Sequence, residues 1–306
     1  MGDVQEALVL ATLVGPAWTV PSAAWPALCS TLATASNAVA HRPVPGVPAD
    51  LAAALGHPVD PAAVARIRRA KQVAYFEERL QVLASLPPRR WRPAIDIRGR
   101  EHVDAALSEG KGAILWVNEF AGSDLVIKAA ADRAGLRLTH LTRPEHGFAK
   151  SRLGMRFLNP IRRRAEDRFL AERVTMHGET GITALRTLER RLSENRVVSI
   201  TVGADAVRKQ PVPFLGARLT VATGPVSLAL STGAPLLPAF TVRRSPRSFG
   251  VAIEPDVVPR EGIGRVEATA AALAELARRL EPYVSRYPEL WRGWETVFTR
   301  DVSGSA

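Results

Sequence analysis

The chain has 306 residues, 46% of them hydrophobic and 23% charged, a globular composition sufficient for one large domain or two small ones. Lys plus Arg outnumber Asp plus Glu by 41 to 30, a formal charge of +11, which favours polyanionic partners such as nucleic acid, an anionic membrane surface or a phosphate-bearing donor. The single cysteine, Cys29, excludes an internal disulfide framework, and the six histidines lack metal-ligand spacing, so neither a zinc enzyme nor any other cofactor is expected.

Residues 7–40 carry no charged side chain and no histidine. Pro16, Pro21 and Pro26 interrupt them, so two or three short apolar helices are expected, on the body or at a membrane surface, rather than a full span. Residues 41–59 are a connection rich in Pro, Gly and Ala. Asp60-Pro61 caps a helix running to about Leu86, with Val64, Ile67, Val73, Phe76, Leu80 and Leu83 at helical spacing. Strands and helices then alternate. Strands are expected at Ile95–Ile97, Ala113–Val117, Leu136–Leu141, Val174–Met176, Val197–Val202, Pro235–Val242 and Gly250–Ile253. Helices are expected at 100–109, from about Asp124, at 181–194 with Ile182, Leu185, Leu188 and Leu192 on one face, at 224–231 and at 264–285. Residues 143–171 are the most basic stretch, from Arg143 through Arg162, Arg163 and Arg164 to Arg168, and their aromatics are too sparse for base stacking. The pattern predicts an α/β fold with a mostly parallel central sheet flanked by helices, residues 60–306, behind an N-terminal helical appendage, residues 1–59.

The stretch from Ile114 to Asp124 is the most informative. A buried strand stops at Asn118-Glu119, a small-residue turn follows, and a helix begins near Asp124, so the turn presents two carboxylates at a strand end. On spacing alone it reads first as a solvated loop whose Ser123 or Asp124 caps the helix.

Several blocks in order resemble the lipid A acyltransferase branch of the lysophospholipid acyltransferase superfamily. They are Ile97 to His102 with Gly110 to Leu115, Val117 to Asp124, Thr142-Arg143-Pro144, Val198 to Asp205 with Val212 to Gly216, Gly224 to Pro238, and the closing Tyr287 to Trp291. The second of these falls where the superfamily carries His-x4-Asp, and the histidine position here holds Glu119, with Asp124 at the acidic position. The resemblance implies an acyltransferase in which Glu119 is base or orienter and Asp124 its partner, although a carboxylate near pKa 4.3 is a weak base toward an alcohol unless burial or a like charge raises it. His140 and His146 lie near in sequence, with nothing that places them in the site. The resemblance further implies substrate contacts from Asn118, Ser123, Arg143, Asp205, Arg208 and Lys209, the basic side chains meeting phosphates, and a pocket wall from Phe214 and Gly216. The implied donor is an acyl-CoA, an acyl carrier protein or an aminoacyl-tRNA. The implied acceptor is a lipid or small metabolite with a hydroxyl or amine. Peripheral contact with an anionic membrane is expected from a cytoplasmic position on its inner face. The missing histidine leaves two alternatives: a pseudoenzyme that binds acyl groups, and an ordinary lipid acyltransferase of the membrane surface.

Overall fold

The computed structural model describes residues 2–40, 51–88, 91–176, 181–202, 208–260 and 262–298. The apolar N-terminus forms α1 (Asp3–Thr19) and α2 (Trp25–Ala40), with Pro16 inside α1 and a short 3-10 turn between them. After the small α3 (Leu51–Leu55) comes the long α4 (Pro61–Ser85), where the Asp60 side chain accepts from Ala62 N at 3.2 Å and so supplies the expected cap. Among the described residues, no helix is long and apolar enough to cross a membrane.

The body follows as β1 (Ala94–Arg98), α5 (Arg100–Ser108), β2 (Ala113–Val117), α6 (Ser123–Arg133), β3 (Leu138–Thr142), α7 (Arg152–Phe157), α8 (Asn159–Asp167), β4 (Glu172–Thr175), α9 (Ile182–Ser193) and β5 (Val197–Thr201). It ends with β6 (Lys209–Phe214), β7 (Ala217–Ala222), α10 (Gly224–Thr232), β8 (Leu236–Ser245), β9 (Ser248–Ile253), α11 (Arg265–Arg286) and β10 (Val297–Phe298). The central sheet has seven strands in the order β1-β9-β8-β2-β5-β3-β4. Every pairing in it is parallel except β8 with β9, so the fold is α/β as the alternation predicts. The segment from Lys209 to Ala222 departs from the simple alternation: β6 and β7 form an antiparallel hairpin that joins β10 in a separate three-stranded sheet.

Strand β2 lies between β8 and β5, buried throughout. Ile114 and Trp116 enter one apolar core with Leu188 of α9, Val226 of α10 and Leu276 of α11. Leu115 and Val117 enter the other with Phe76 and Leu80 of α4, Val126 of α6, and Leu13 and Cys29 of the N-terminal helices. Burial on both faces explains why β2 reads as an unbroken apolar run. In α9 the buried face is Ala184, Leu188 and Leu192, while Ile182, expected on that face, is exposed at the helix start.

Candidate active site

The parallel strands β2, β3 and β5 all end at one edge of the sheet, where the connections of an α/β fold gather their ligands. At the end of β2 the chain turns through Asn118 to Gly122. Gly122 adopts φ +79, a left-handed backbone that favours glycine, and a Cβ there would stand 3.1 Å from Gln81 Oε1 of α4. Gly122 is also the N-cap of α6, without a side-chain hydrogen bond. The helix-cap reading of Ser123 and Asp124 is therefore corrected: Ser123 is wholly buried with no partner for Oγ, and Asp124 is engaged elsewhere.

Asp124 Oδ2 accepts from Arg162 Nη2 and from Arg292 Nη2, both at 2.7 Å. The same two arginines reach Glu78 of α4, at 2.7 Å and 3.1 Å. Arg162 also donates through Nε to Glu166 at 3.1 Å, and Glu166 takes Lys128 Nζ at 2.8 Å, Arg173 Nη2 at 2.9 Å and His146 Nε2 at 2.9 Å. Burial pushes these carboxyls up, but the cations outweigh it. Arg292 and Arg162 hold Asp124 and Glu78 below the usual carboxylate range, and Lys128 and His146 hold Glu166 well below it. Asp124 is thus a fixed anion. His146 is hydrogen-bonded toward it through Glu166 and Arg162 and also acts on it by charge, and His140 is buried, with Nδ1 2.8 Å from Ser199 Oγ and its pKa driven well down by burial.

Glu119 is half-buried, between this network and the C-terminal segment. That segment is strapped antiparallel to the turn: Trp291 bridges Phe120, Leu290 O accepts from Ala121 N at 2.7 Å, and Arg292 N donates to Glu119 O at 2.8 Å. The Trp291 ring packs tilted against Phe214 at 5.4 Å and edge-on to Trp294 at 4.8 Å, which anchors the strap in the core. On the other side α4 presents Lys71 and Glu78, two turns apart and so on one helix face. Lys71 Nζ donates to Trp291 O at 3.0 Å. Burial pushes its pKa down to about 8, Arg292 acts in the same direction, and Glu295 and Glu119 oppose them. Glu119 therefore lies within electrostatic reach of two cations, Lys71 and Arg292.

The remaining expected site residues divide. Asn118 is buried, donating its backbone N–H to Ala239 O at 2.9 Å and its side-chain amide to Trp116 O at 3.3 Å. Arg143 follows β3 at the same sheet edge and is half-buried. Arg208 and Lys209 are exposed at the start of β6, and Asp205 lies outside the described residues. Phe214 is fully buried against Trp291. Gly216 meets the backbone of α3, where an added Cβ would fall 2.3 Å from Gly56 Cα, so its glycine serves a close backbone approach. The sequence reading did not single out Lys71, Glu78, Arg162, Glu166 or Arg292. One signal existed: Arg162 and Glu166 are spaced i,i+4 inside the basic stretch.

Comparison with known proteins fits this architecture. The family model of bacterial lipid A biosynthesis acyltransferases matches residues 8–294. Phosphatidylinositol mannoside acyltransferases from two strains of Mycobacterium tuberculosis are each 27% identical over 210 residues, covering 68% of this chain. The match spans 61% of the length of those relatives. With the family matched over nearly the whole chain, and the α/β body in place, this protein belongs to the bacterial lipid A biosynthesis acyltransferase family.

Proposed function

We propose that the chain transfers an acyl group from a thioester or ester donor to a hydroxyl or amine acceptor at the turn after β2, through Glu119 in place of the family's histidine. The acceptor oxygen or nitrogen bonds to the acyl carbonyl carbon, the donor C–S or C–O bond breaks, and the acceptor proton passes by way of the base to the leaving group. The observation that carries the reading is the position of Glu119 at the end of a central strand, beside Lys71 and Arg292. Asp124, doubly bound to arginines, stays charged and holds the turn, so Lys71 is the neighbour that exchanges a proton with the reacting pair. Its pKa near 8 matches proton transfer close to neutral pH, where a lone carboxylate is a poor base. Arg292, above the turn, is suited to a developing oxyanion or a phosphate.

The donor is an acyl-CoA, an acyl carrier protein or an aminoacyl-tRNA, and the acceptor a lipid or small metabolite. A lipid acceptor is supported by the activity for which the mycobacterial relatives are named and by a surface where α1 meets α7. Asp3 accepts there from Ser151 Oγ and from Gly154 N at 3.2 Å, and Val4, Leu8, Leu153 and Phe157 are exposed beside Arg152 and Arg156. Apolar side chains ringed by arginine suit peripheral docking on anionic lipid from the cytoplasmic side. The test is transfer from labelled donors of the three classes to hydroxyl and amine acceptors, with wild type, Glu119→Gln and Lys71→Met compared. Loss of transfer in both variants with folding intact supports the reading; unchanged transfer in Glu119→Gln sinks it. A second reading is favoured by the arginine lock on Asp124: a scaffold that binds acyl donors without turning them over. Tight donor binding with no transfer to any acceptor would select it.

A further inference from the structure

A cavity of about 450 Å³ lies beside the strap, between α2, α4 and the end of β8, within the size range of small-ligand sites. Its rim carries Arg66, Arg69 and Arg243. Arg243 is paired with Glu77 at 2.5 Å. Among the described residues Arg69 reaches no carboxylate; its Nη2 donates to the hydroxyls of Ser30 and Thr34, both at 2.9 Å. Arg66 is exposed and makes no hydrogen bond or ion pair among the described residues. Two guanidiniums on consecutive turns of one helix therefore face a concave surface, and neither is paired with a carboxylate among the described residues.

The wall carboxylate, Glu289, is paired with neither of these arginines; burial pushes its pKa up, and Arg243 opposes that shift. The floor is apolar, from Val73, Ala74 and Leu290. Guanidinium forks over an apolar floor match a phosphate ester joined to a carbon chain better than a free inorganic ion. The cavity also backs onto the reaction turn, because the Leu290 carbonyl in its wall accepts from Ala121 N.

We propose that this cavity is a phosphate-ester site in which Arg66 and Arg69 hold the phosphate of the acyl donor's carrier or of a lipid acceptor, with the adjoining chain laid on Val73 and Leu290. The proposal rests on the acyl-transfer reading for the kind of ligand, and on the cavity alone for its place. Two probes separate the sources: coenzyme A, and a short-chain lysophosphatidic acid kept below its micelle concentration. Calorimetric titration of the full chain is expected to show saturable binding of one of them, which names the source. Arg66→Gln should weaken that binding several-fold, and Arg66→Gln with Arg69→Gln by about tenfold or more. The single variant touches no other group and so guards against misfolding in the double one. Arg164→Gln, an equal charge change on α8, should bind as wild type. Glu119→Gln should keep full affinity even if transfer is lost, which separates failure of the site from failure of the chemistry. Binding of neither probe, or equal binding by wild type and both arginine variants, would overturn the site.

Discussion

Two clusters of charge flank the turn after β2, and they are built on opposite terms. Around Asp124, Glu78 and Glu166 nearly every charge is buried and paired, with Glu166 alone meeting Lys128, Arg162, Arg173 and His146. Around Glu119 and Lys71 the groups are half-buried, and Lys71 is held in its charged form only up to a pKa near 8. A saturated network resists change, because removing one ion strands its partners in low dielectric. A half-buried group that keeps contact with water can change its protonation at lower cost. Asp124 is thus held as part of the scaffold, and in the proposed reaction proton transfer falls to the half-buried side.

The comparison is broken most directly at Asp124. Asp124→Leu strands Arg162 and Arg292, and is expected to cost about 3–5 kcal/mol in urea unfolding at neutral pH. Glu119→Gln should leave the urea midpoint almost unmoved but lower transfer by about 100-fold or more. If it destabilises as much as Asp124→Leu, the distinction between the two clusters is wrong. Acid should act on the first cluster. Asp124, Glu78 and Glu166 have folded pKa values below their ordinary ones, so their stabilisation is complete above about pH 5 and is lost as pH falls further. Unfolding that follows the titration of those three carboxylates, and that Glu119→Gln leaves unchanged, would sharpen the point.

The smallest effect expected is on the rate profile. With Lys71 as the proton-exchanging neighbour, wild-type transfer at low substrate should rise about tenfold between pH 7 and pH 9. Lys71→Arg should flatten that rise while keeping the positive charge. A profile unaffected by the substitution would return the base role to Glu119 by itself. Lys71 also carries a folding signature, with stability rising with pH as for the carboxylates but in an alkaline window. Its folded pKa is depressed, so its burial is unfavourable below about pH 8, and the penalty fades as pH climbs toward its unfolded value. The stability gained by Lys71→Met at pH 7 should therefore shrink at pH 10.

Much of the architecture is legible in the sequence because it depends on local rules. The apolar run Ala113–Val117, the Asp60-Pro61 cap and the alternation of strands with helices each follow from backbone and burial preferences over a few residues. The position of Glu119 is legible too, since strand end, glycine turn and helix start are contiguous. The partners of that turn are not. Lys71 and Glu78 come from α4, Arg162 from α8 and Arg292 from the strap, up to 168 positions away from Asp124. In the sequence α4 has the spacing of a helix with one apolar face. In the fold its second half is enclosed by α1, α2 and α8, so Glu77, Glu78, Arg79 and Gln81 are buried and most find partners. Likewise Arg162 belongs to a stretch that looks like solvated surface, and it becomes interior only when α8 packs against α4 and α6. The sequence by itself therefore determined most of the elements of the central sheet, their order and the carboxylate at the strand end, but not α7, α8 or the hairpin of β6 and β7. Only the tertiary structure decided which carboxylate is locked and which is left beside a titratable amine, because burial and long-range ion pairing depend on what packs across the chain rather than along it.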